Sequence, residues 1–311
     1  MERRFIIVAL PSETTRIAAG RGAFLVAAAS VVWSTGALIV RLVGADPWTV
    51  NVWRGLFSST LLLLAMRLTD RGGLVEQWRR IGRPGLAITA CLSLSSTCFI
   101  LALSLTSVAD TLILMSIGPF VAALLAWLLL GERVGLRTWL TMAVALVGTV
   151  VMVSGSYATG TITGDLLAVV TATGFATATV LMRRHPETPM AAATALAPAM
   201  TCLVALPMAT PSSVGTWGLG LLAVFGLSHA LGFLLFTAGA RLIPAAETSV
   251  ITMLEVVLGP LWVWLVLGEN PGVASLIGGA LILGALLVRA VLERTSPRAR
   301  GAALGESVTE T

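Results

Sequence analysis

The chain contains no lysine, one tyrosine, two histidines and three cysteines, and only 11% of its 311 residues are charged. Soluble domains carry about 25% charged residues, so the polar surface that keeps a protein of this length in water is missing. Cys91, Cys98 and Cys202 all fall inside apolar runs. Without paired spacing they supply neither a disulfide framework nor a zinc site. Also missing are His-Glu-x-x-His, Gly-x-Ser-x-Gly and the clustered aspartates that hold a metal-bound diphosphate. Ser228 and His229 are sequence neighbours and would face different ways on a helix, so they do not form a nucleophile–base pair. These absences argue against an enzyme, and no cofactor or metal is implied.

What the chain has is apolar: 57% of residues are hydrophobic, and the mean hydropathy is +0.94. All twenty positive side chains are arginine. They lie between apolar runs rather than in one patch, which argues for the lipid bilayer and against nucleic acid as a partner. The composition is that of an all-α integral membrane protein.

A span needs roughly 20 apolar residues. Ten runs qualify: 18–40, 49–66, 86–105, 109–130, 136–153, 166–182, 190–208, 217–240, 246–267 and 272–292. They are continuous rather than alternating, which excludes a closed barrel. The apolar stretch at 5–10 is too short for a signal-peptide core, so the first span is expected to stay uncleaved. Eighteen of the twenty arginines fall before the first span, between the second and third, after the fourth, sixth and eighth, or beyond the tenth. The loops 154–163 and 209–216, at the opposite end, carry no charge. The positive-inside rule then puts both termini in the cytoplasm and the chain, multi-pass, in the inner (plasma) membrane.

The sequence also repeats itself. At an offset of 137, Ala109-Asp110-Thr111 falls on Ala246-Glu247-Thr248, Trp127 on Trp264, and Leu130-Gly131-Glu132 on Leu267-Gly268-Glu269. At an offset of 142, Gly22 falls on Gly164, Trp33 on Phe175, Arg41 on Arg183 and Pro47 on Pro189. We expect two five-helix copies, 1–159 and 160–294, followed by a disordered cytoplasmic tail over 295–311. Five is odd, so the second copy crosses the bilayer inverted. Inverted repeats place a substrate site at the midplane between the halves and allow alternating access.

These features resemble the EamA-type drug/metabolite transporter superfamily. The resemblance is carried by the two five-helix copies, each closing its fourth helix on an apolar residue, glycine and glutamate. Pro119 and Leu254-Glu255 in the equivalent helices carry it too. It implies ten helices and export of a small molecule. Around LEVVLGPLWVW the chain is most similar to bacterial exporters of amino acids, aromatic ones included. The family often follows that glutamate with proline. Here Val256 follows and Pro260 comes four residues later, which would move the kink one turn toward the outside.

Three charged or titratable side chains, apart from the cysteines, lie well inside the runs, away from their ends. Glu255 is roughly 13 Å from the inner end of its span at helical rise. A carboxylate there costs several kcal/mol unless it faces a cavity or a partner. It reads as a proton site or a contact for a substrate ammonium, and alternatively as a protonated carboxyl bonded to a neighbouring helix. Its first-copy register partner is Gly118, and Ile251, Leu258 and Trp262 are expected on its face. His229 shares a helix face with Phe225, Phe233 and Phe236, a stripe that suits either an aromatic-lined pocket or helix packing. Arg54, with Asn51 one turn away, could hold a substrate carboxylate or snorkel to the interface. Trp33, Ser34 and Thr35, and Ser93, Ser95, Ser96 and Thr97, add polar atoms that a cavity could use. The substrate-contact set is therefore Glu255, His229, Arg54, Trp33, Asn51, Ser95, Phe233 and Trp262. A sugar-nucleotide carrier would want several midplane cations, and only Arg54 is inside. The expected partner is a small molecule such as an amino acid; the oligomeric state stays open.

Overall fold

No water reaches the backbone inside a bilayer, so an apolar run satisfies its own N–H and C=O groups by winding into a helix. The computed structural model obeys this: among the described residues every element is helical. It describes residues 13–69, 74–106, 111, 114–132, 134–154, 161–268 and 272–295. The expected tail lies outside them beyond residue 295.

The helices are α1 (Glu13–Val43), α2 (Pro47–Thr69), the short α3 (Leu74–Arg79), α4 (Gly82–Leu105), α5 (Gly118–Leu130) and α6 (Leu136–Val153). They continue with α7 (Ile162–Arg184), α8 (Met190–Ala205), α9 (Thr216–Ala240), α10 (Ala245–Thr252), α11 (Leu254–Leu267) and α12 (Gly272–Thr295). Among the described residues seven segments are long and apolar enough to cross a membrane, with α10 and α11 counted as one run over Ala245–Leu267. Three shorter apolar helices, Gly118–Leu130, Leu136–Val151 and Gly272–Val288, fall on the remaining expected runs. The start of the fourth run, at 109–110 and 112–113, lies outside the described residues.

Apolar side chains cover the outside of the bundle. Phe24, Leu166 and Leu203 are each more than 60% exposed, which suits lipid and would be a liability in water. Lipid offers helices no hydrophobic drive to associate, so they meet through small residues and hydroxyls. The pairs are α1 with α9, α4 with α7, α6 with α12, α2 with α8, α2 with α9, α4 with α8, α1 with α11, and α5 with α7. Glycine closes several of them. A Cβ on Gly22 of α1 would come 3.0 Å from the Gly239 carbonyl, one on Gly55 of α2 2.5 Å from the Pro198 carbonyl, and one on Gly148 of α6 2.9 Å from the Gly278 carbonyl. Hydroxyls add cross-links: Thr89 donates to the Ala193 carbonyl (3.0 Å), Ser95 donates to the Thr171 carbonyl (2.8 Å), and Ser93 pairs with Thr201 (3.1 Å).

The repeated Leu-Gly-Glu phrase has a backbone cause. Gly131 and Gly268 cap α5 and α11 in the left-handed region, with φ of 67° and 70°, a conformation that costs a side chain but not glycine. The Glu132 amide then reaches back to the Ala126 carbonyl (3.2 Å), and its side chain accepts from Arg183 Nε on α7 (2.7 Å).

One expectation is corrected. The run 246–267 is not one unbroken helix: it breaks at Met253, between α10 and α11, and Pro260 lies inside α11. Met253 N bonds to Val250 O (3.1 Å) and Val256 N to Met253 O (3.1 Å), both to the third residue back. Such tightening turns the chain more per residue than an α-helix and resets the face that follows. A turn at Ser116–Ile117 precedes α5 in the same way.

Candidate functional site

The two helix breaks flank a cavity of about 540 Å³ lined from α1, α2, α4, α5, α7, α9, α10, α11 and α12, within the range of small-molecule sites. It runs from His229 and Phe233 to Arg41 and Leu103, near the ends of α1 and α4. Arg41 is exposed, so the cavity opens at that end. Its other end is closed by aromatic rings. Trp33 meets Phe175, Phe233 and Phe236 at centroid separations of 5.9, 5.5 and 5.4 Å, and Phe175 meets Phe236 at 5.0 Å. Beyond this plug, Arg183 bonds Glu132 and the Arg241 carbonyl (3.4 Å), while Arg241 Nη2 donates to the carbonyls of Pro186 (3.1 Å) and Thr188 (2.8 Å).

Arg54 turns inward rather than snorkelling to the interface. It is 3% exposed, and its Nη2 donates to Asn51 Oδ1 (2.8 Å), Ser96 O (3.1 Å) and Ser96 Oγ (2.8 Å). The guanidinium carbon lies 5.3 Å from the Phe225 ring centroid, which holds the cation over a π face. Nε is buried without a partner among the described residues. Only one edge of the fork is committed to the protein, and the residue lines the cavity.

Glu255 stands in the first turn of α11 and lines the same cavity. It makes no hydrogen bond or ion pair with a described residue, although the Arg54 charge acts on it. The reading of a carboxyl bonded to a neighbouring helix therefore has no bond to support it among the described residues. His229 Nδ1 lies 3.1 Å from Ser58 Oγ, and the ring packs edge-on to Phe233 at 4.7 Å. Trp33, Ser95 and Phe233 line the cavity, although the Ser95 hydroxyl is already donated to α7.

Two expected positions fall elsewhere. Asn51 does not line the cavity and instead fixes Arg54. Trp262 also lies off the wall, its indole N–H donating to Ser34 Oγ (2.8 Å). On α10 and α11 the lining residues are Ser249, Thr252, Met253, Glu255, Val256, Gly259, Pro260 and Val263, not Ile251, Leu258 and Trp262; within α11 Glu255 sits at the edge of a face centred on Gly259 and Val263, and Leu258 and Trp262 fall on its other side. The four-residue step assumed from 251 to 255 does not survive the tightened turn. Sequence reasoning missed Ser58 and Ser249. The hydroxyls at Ser58 and Ser59, in an apolar run like those of α4, were the available signal for the first.

Comparison with known proteins agrees with this architecture. Over 278 residues the chain is 28% identical to an uncharacterized transporter of Archaeoglobus fulgidus, covering 83% of this chain and 92% of that protein. It is 27% identical over 278 residues to the pseudopaline exporter CntI of Pseudomonas aeruginosa, covering 86% and 94%. A solved crystal structure superposes with a TM-score of 0.76 at 21% identity, over 89% of this chain and 99% of that one, a likeness of fold. The EamA-like transporter family model matches twice, over residues 20–154 and 162–290. Two consecutive matches, one per half and together covering most of a multi-pass helical chain, make this protein a member of the EamA-like transporter family.

Proposed function

We propose that this membrane transporter exports small zwitterionic metabolites, foremost amino acids including aromatic ones, from the cytoplasm across the inner membrane. The feature that carries the reading is one cavity lined by a guanidinium and a carboxyl that form no ion pair with each other among the described residues. Arg54 keeps an uncommitted edge and Glu255 has no bonded partner among the described residues. A molecule with one carboxylate and one ammonium matches both. Trp33, Phe175, Phe225 and Phe233 supply apolar wall for its side chain. Two similar proteins are named as a transporter and a pseudopaline exporter, which favours transport over catalysis.

Ten spans in two inverted repeats, alternating access and cytoplasmic termini belong to the same proposal. Exchanging the halves carries α1 to α7, α2 to α8, α4 to α9, α5 to α10–α11 and α6 to α12. The observed helix pairs map onto one another under that exchange. The cavity opens at the arginine-poor end, so this is the outward-facing state, with the aromatic plug and the Glu132–Arg183 pair closing the inside. Single cysteines at Gly160 and Ser212 of a cysteine-free variant should label from outside in intact cells; protection of both reverses the orientation.

The deciding test is flux of labelled amino acids in liposomes containing the pure protein, with and without a pH gradient. Saturable movement that unlabelled amino acids suppress supports the reading. Protein-independent leak alone refutes it.

A further inference from the structure

Most glycines of the described chain have a local reason to be glycine. Some are packed so tightly that a Cβ would collide: Gly22, Gly55 and Gly226 would each meet a neighbour within 2.8 Å. Others, such as Gly131 and Gly268, adopt positive φ. Three glycines line the cavity: Gly36, Gly118 and Gly259. Gly36 belongs to the packed kind, with Phe225 Cε2 2.8 Å from an added Cβ. Gly118 and Gly259 belong to neither kind. Neither φ is positive, and an added Cβ would find nothing nearer than Ala172 at 4.0 Å from Gly118 or Ala37 at 3.8 Å from Gly259, ordinary contacts. Gly259 lies one turn beyond Glu255 on the same helix, so the open wall facing the other half is at Gly118.

A glycine that neither packing nor backbone geometry requires, on the wall of a cavity, leaves space for something else. The cavity also holds buried polar groups with no partner among the described residues, Ser249 Oγ and Arg54 Nε. Buried polar atoms are rarely left unpaired, so the cavity is shaped for a ligand with a polar end. The space over Gly118 is bounded by Ala172 and offers that end little, so it suits an apolar part. Register sharpens the point. Counting back thirteen residues from the left-handed caps Gly131 and Gly268 reaches Gly118 on α5 and Glu255 on α11. One helix presents the carboxylate where the other presents empty space.

We infer that Gly118 sets the size limit of the substrate: the bulky side chain of an aromatic amino acid lies over it while the zwitterionic end engages Arg54 and Glu255. This rests on the proposed substrate class. A methyl at position 118 fits the fold, and a leucine side chain reaches into the cavity itself.

The experiment compares parent, Gly118→Ala and Gly118→Leu in liposomes, measuring flux of labelled tryptophan and labelled alanine, with thermal unfolding as the fold control. In Gly118→Leu the ratio of tryptophan to alanine flux should fall at least about tenfold through a higher KM for tryptophan, since apolar pockets discriminate by about 10–200-fold per methylene. Gly118→Ala should move the ratio the same way by less, and it decides the matter if the leucine variant does not fold. Equal loss of both fluxes, or an unchanged ratio, overturns the inference alone. A parent that moves neither amino acid overturns the substrate reading and this inference with it.

Discussion

Replacing Arg54 by methionine keeps an apolar stem and removes the guanidinium, and the structure fixes what each outcome means. Within the fold the change deletes three hydrogen bonds, at 2.8, 3.1 and 2.8 Å. Hydrogen bonds to charged groups contribute roughly 1.5–3 kcal/mol each. Against this stands the cost of holding a 3% exposed guanidinium away from water, several kcal/mol in effective terms. The two largely offset, so the variant should unfold within about 2 kcal/mol of the parent. Binding has no such compensation. The substrate carboxylate would lose its buried cation, a loss of about 2–5 kcal/mol, which is roughly thirty-fold to several-thousand-fold in Kd. Radioligand binding to purified protein, with thermal unfolding on the same samples, separates the two effects. Parent-like Kd alongside a lowered Tm would show that Arg54 merely pins α2 to α4, and the substrate argument would fail.

Glu255→Gln should fold like the parent, because the carboxylate makes no bond with a described residue, yet lower export or shift its pH dependence. A parent-like profile from about pH 5.5 to 8, bracketing the unperturbed titration of histidine, would make the residue structural. Gly232→Ala puts a methyl onto the Trp33 indole nitrogen, which now donates to the His229 carbonyl at 3.3 Å. It should lower stability by about 1–3 kcal/mol, read as a drop in Tm, and an unchanged Tm would show that Trp33 can move freely. Asp46 accepts from the Trp48 and Thr49 amides at the start of α2 (3.1 and 2.9 Å), so Asp46→Ala should cost about 1 kcal/mol near neutral pH. Burial raises the Asp46 carboxyl, but hydrogen bonds from Thr49, Thr210 and Trp48 outweigh it and hold its pKa below the ordinary 3.8. A depressed carboxyl stabilises above its unfolded pKa and loses that contribution as pH falls through the folded one. The Tm gap between parent and Asp46→Ala should therefore close only below about pH 4; a gap that persists there refutes the cap.

The helices were legible because lipid leaves an apolar run no alternative, and Leu-Gly-Glu marked two helix ends because only glycine enters the left-handed cap cheaply. The buried ionisable groups were legible for a related reason: Arg54, His229 and Glu255 stand out against apolar neighbours, and all three reach one cavity. Which atoms face it was not legible. A four-residue step holds along an ideal helix, but the tightened turn at Met253 breaks it between Ile251 and Glu255, and Glu255 sits at the edge of a face centred on Gly259 and Val263, which leaves Trp262 off the wall. Nor could spacing show that Arg54 would reach Ser96, or that Ser58 would meet His229, on another helix. Those contacts depend on how close two helices come, which the packing glycines set and which no pattern within one helix encodes.

On the proposed repeat, both charges break the symmetry of the fold. The register partner of Glu255 is Gly118, and at the offset that aligns Pro47 with Pro189, Arg54 falls on Leu196. A faithful copy would have placed two carboxylates and two guanidinium groups around one small cavity. Like charges there would repel, and one of each pair would give up its ionisation. Keeping the cation in the first half and the anion in the second avoids that cost and gives the cavity a direction. A zwitterion then has one favourable orientation, spanning the two halves that must move past each other. Rocking one half against the other would stretch the span between Arg54 and Glu255, so the two groups proposed to bind the substrate would also sense its presence and its release.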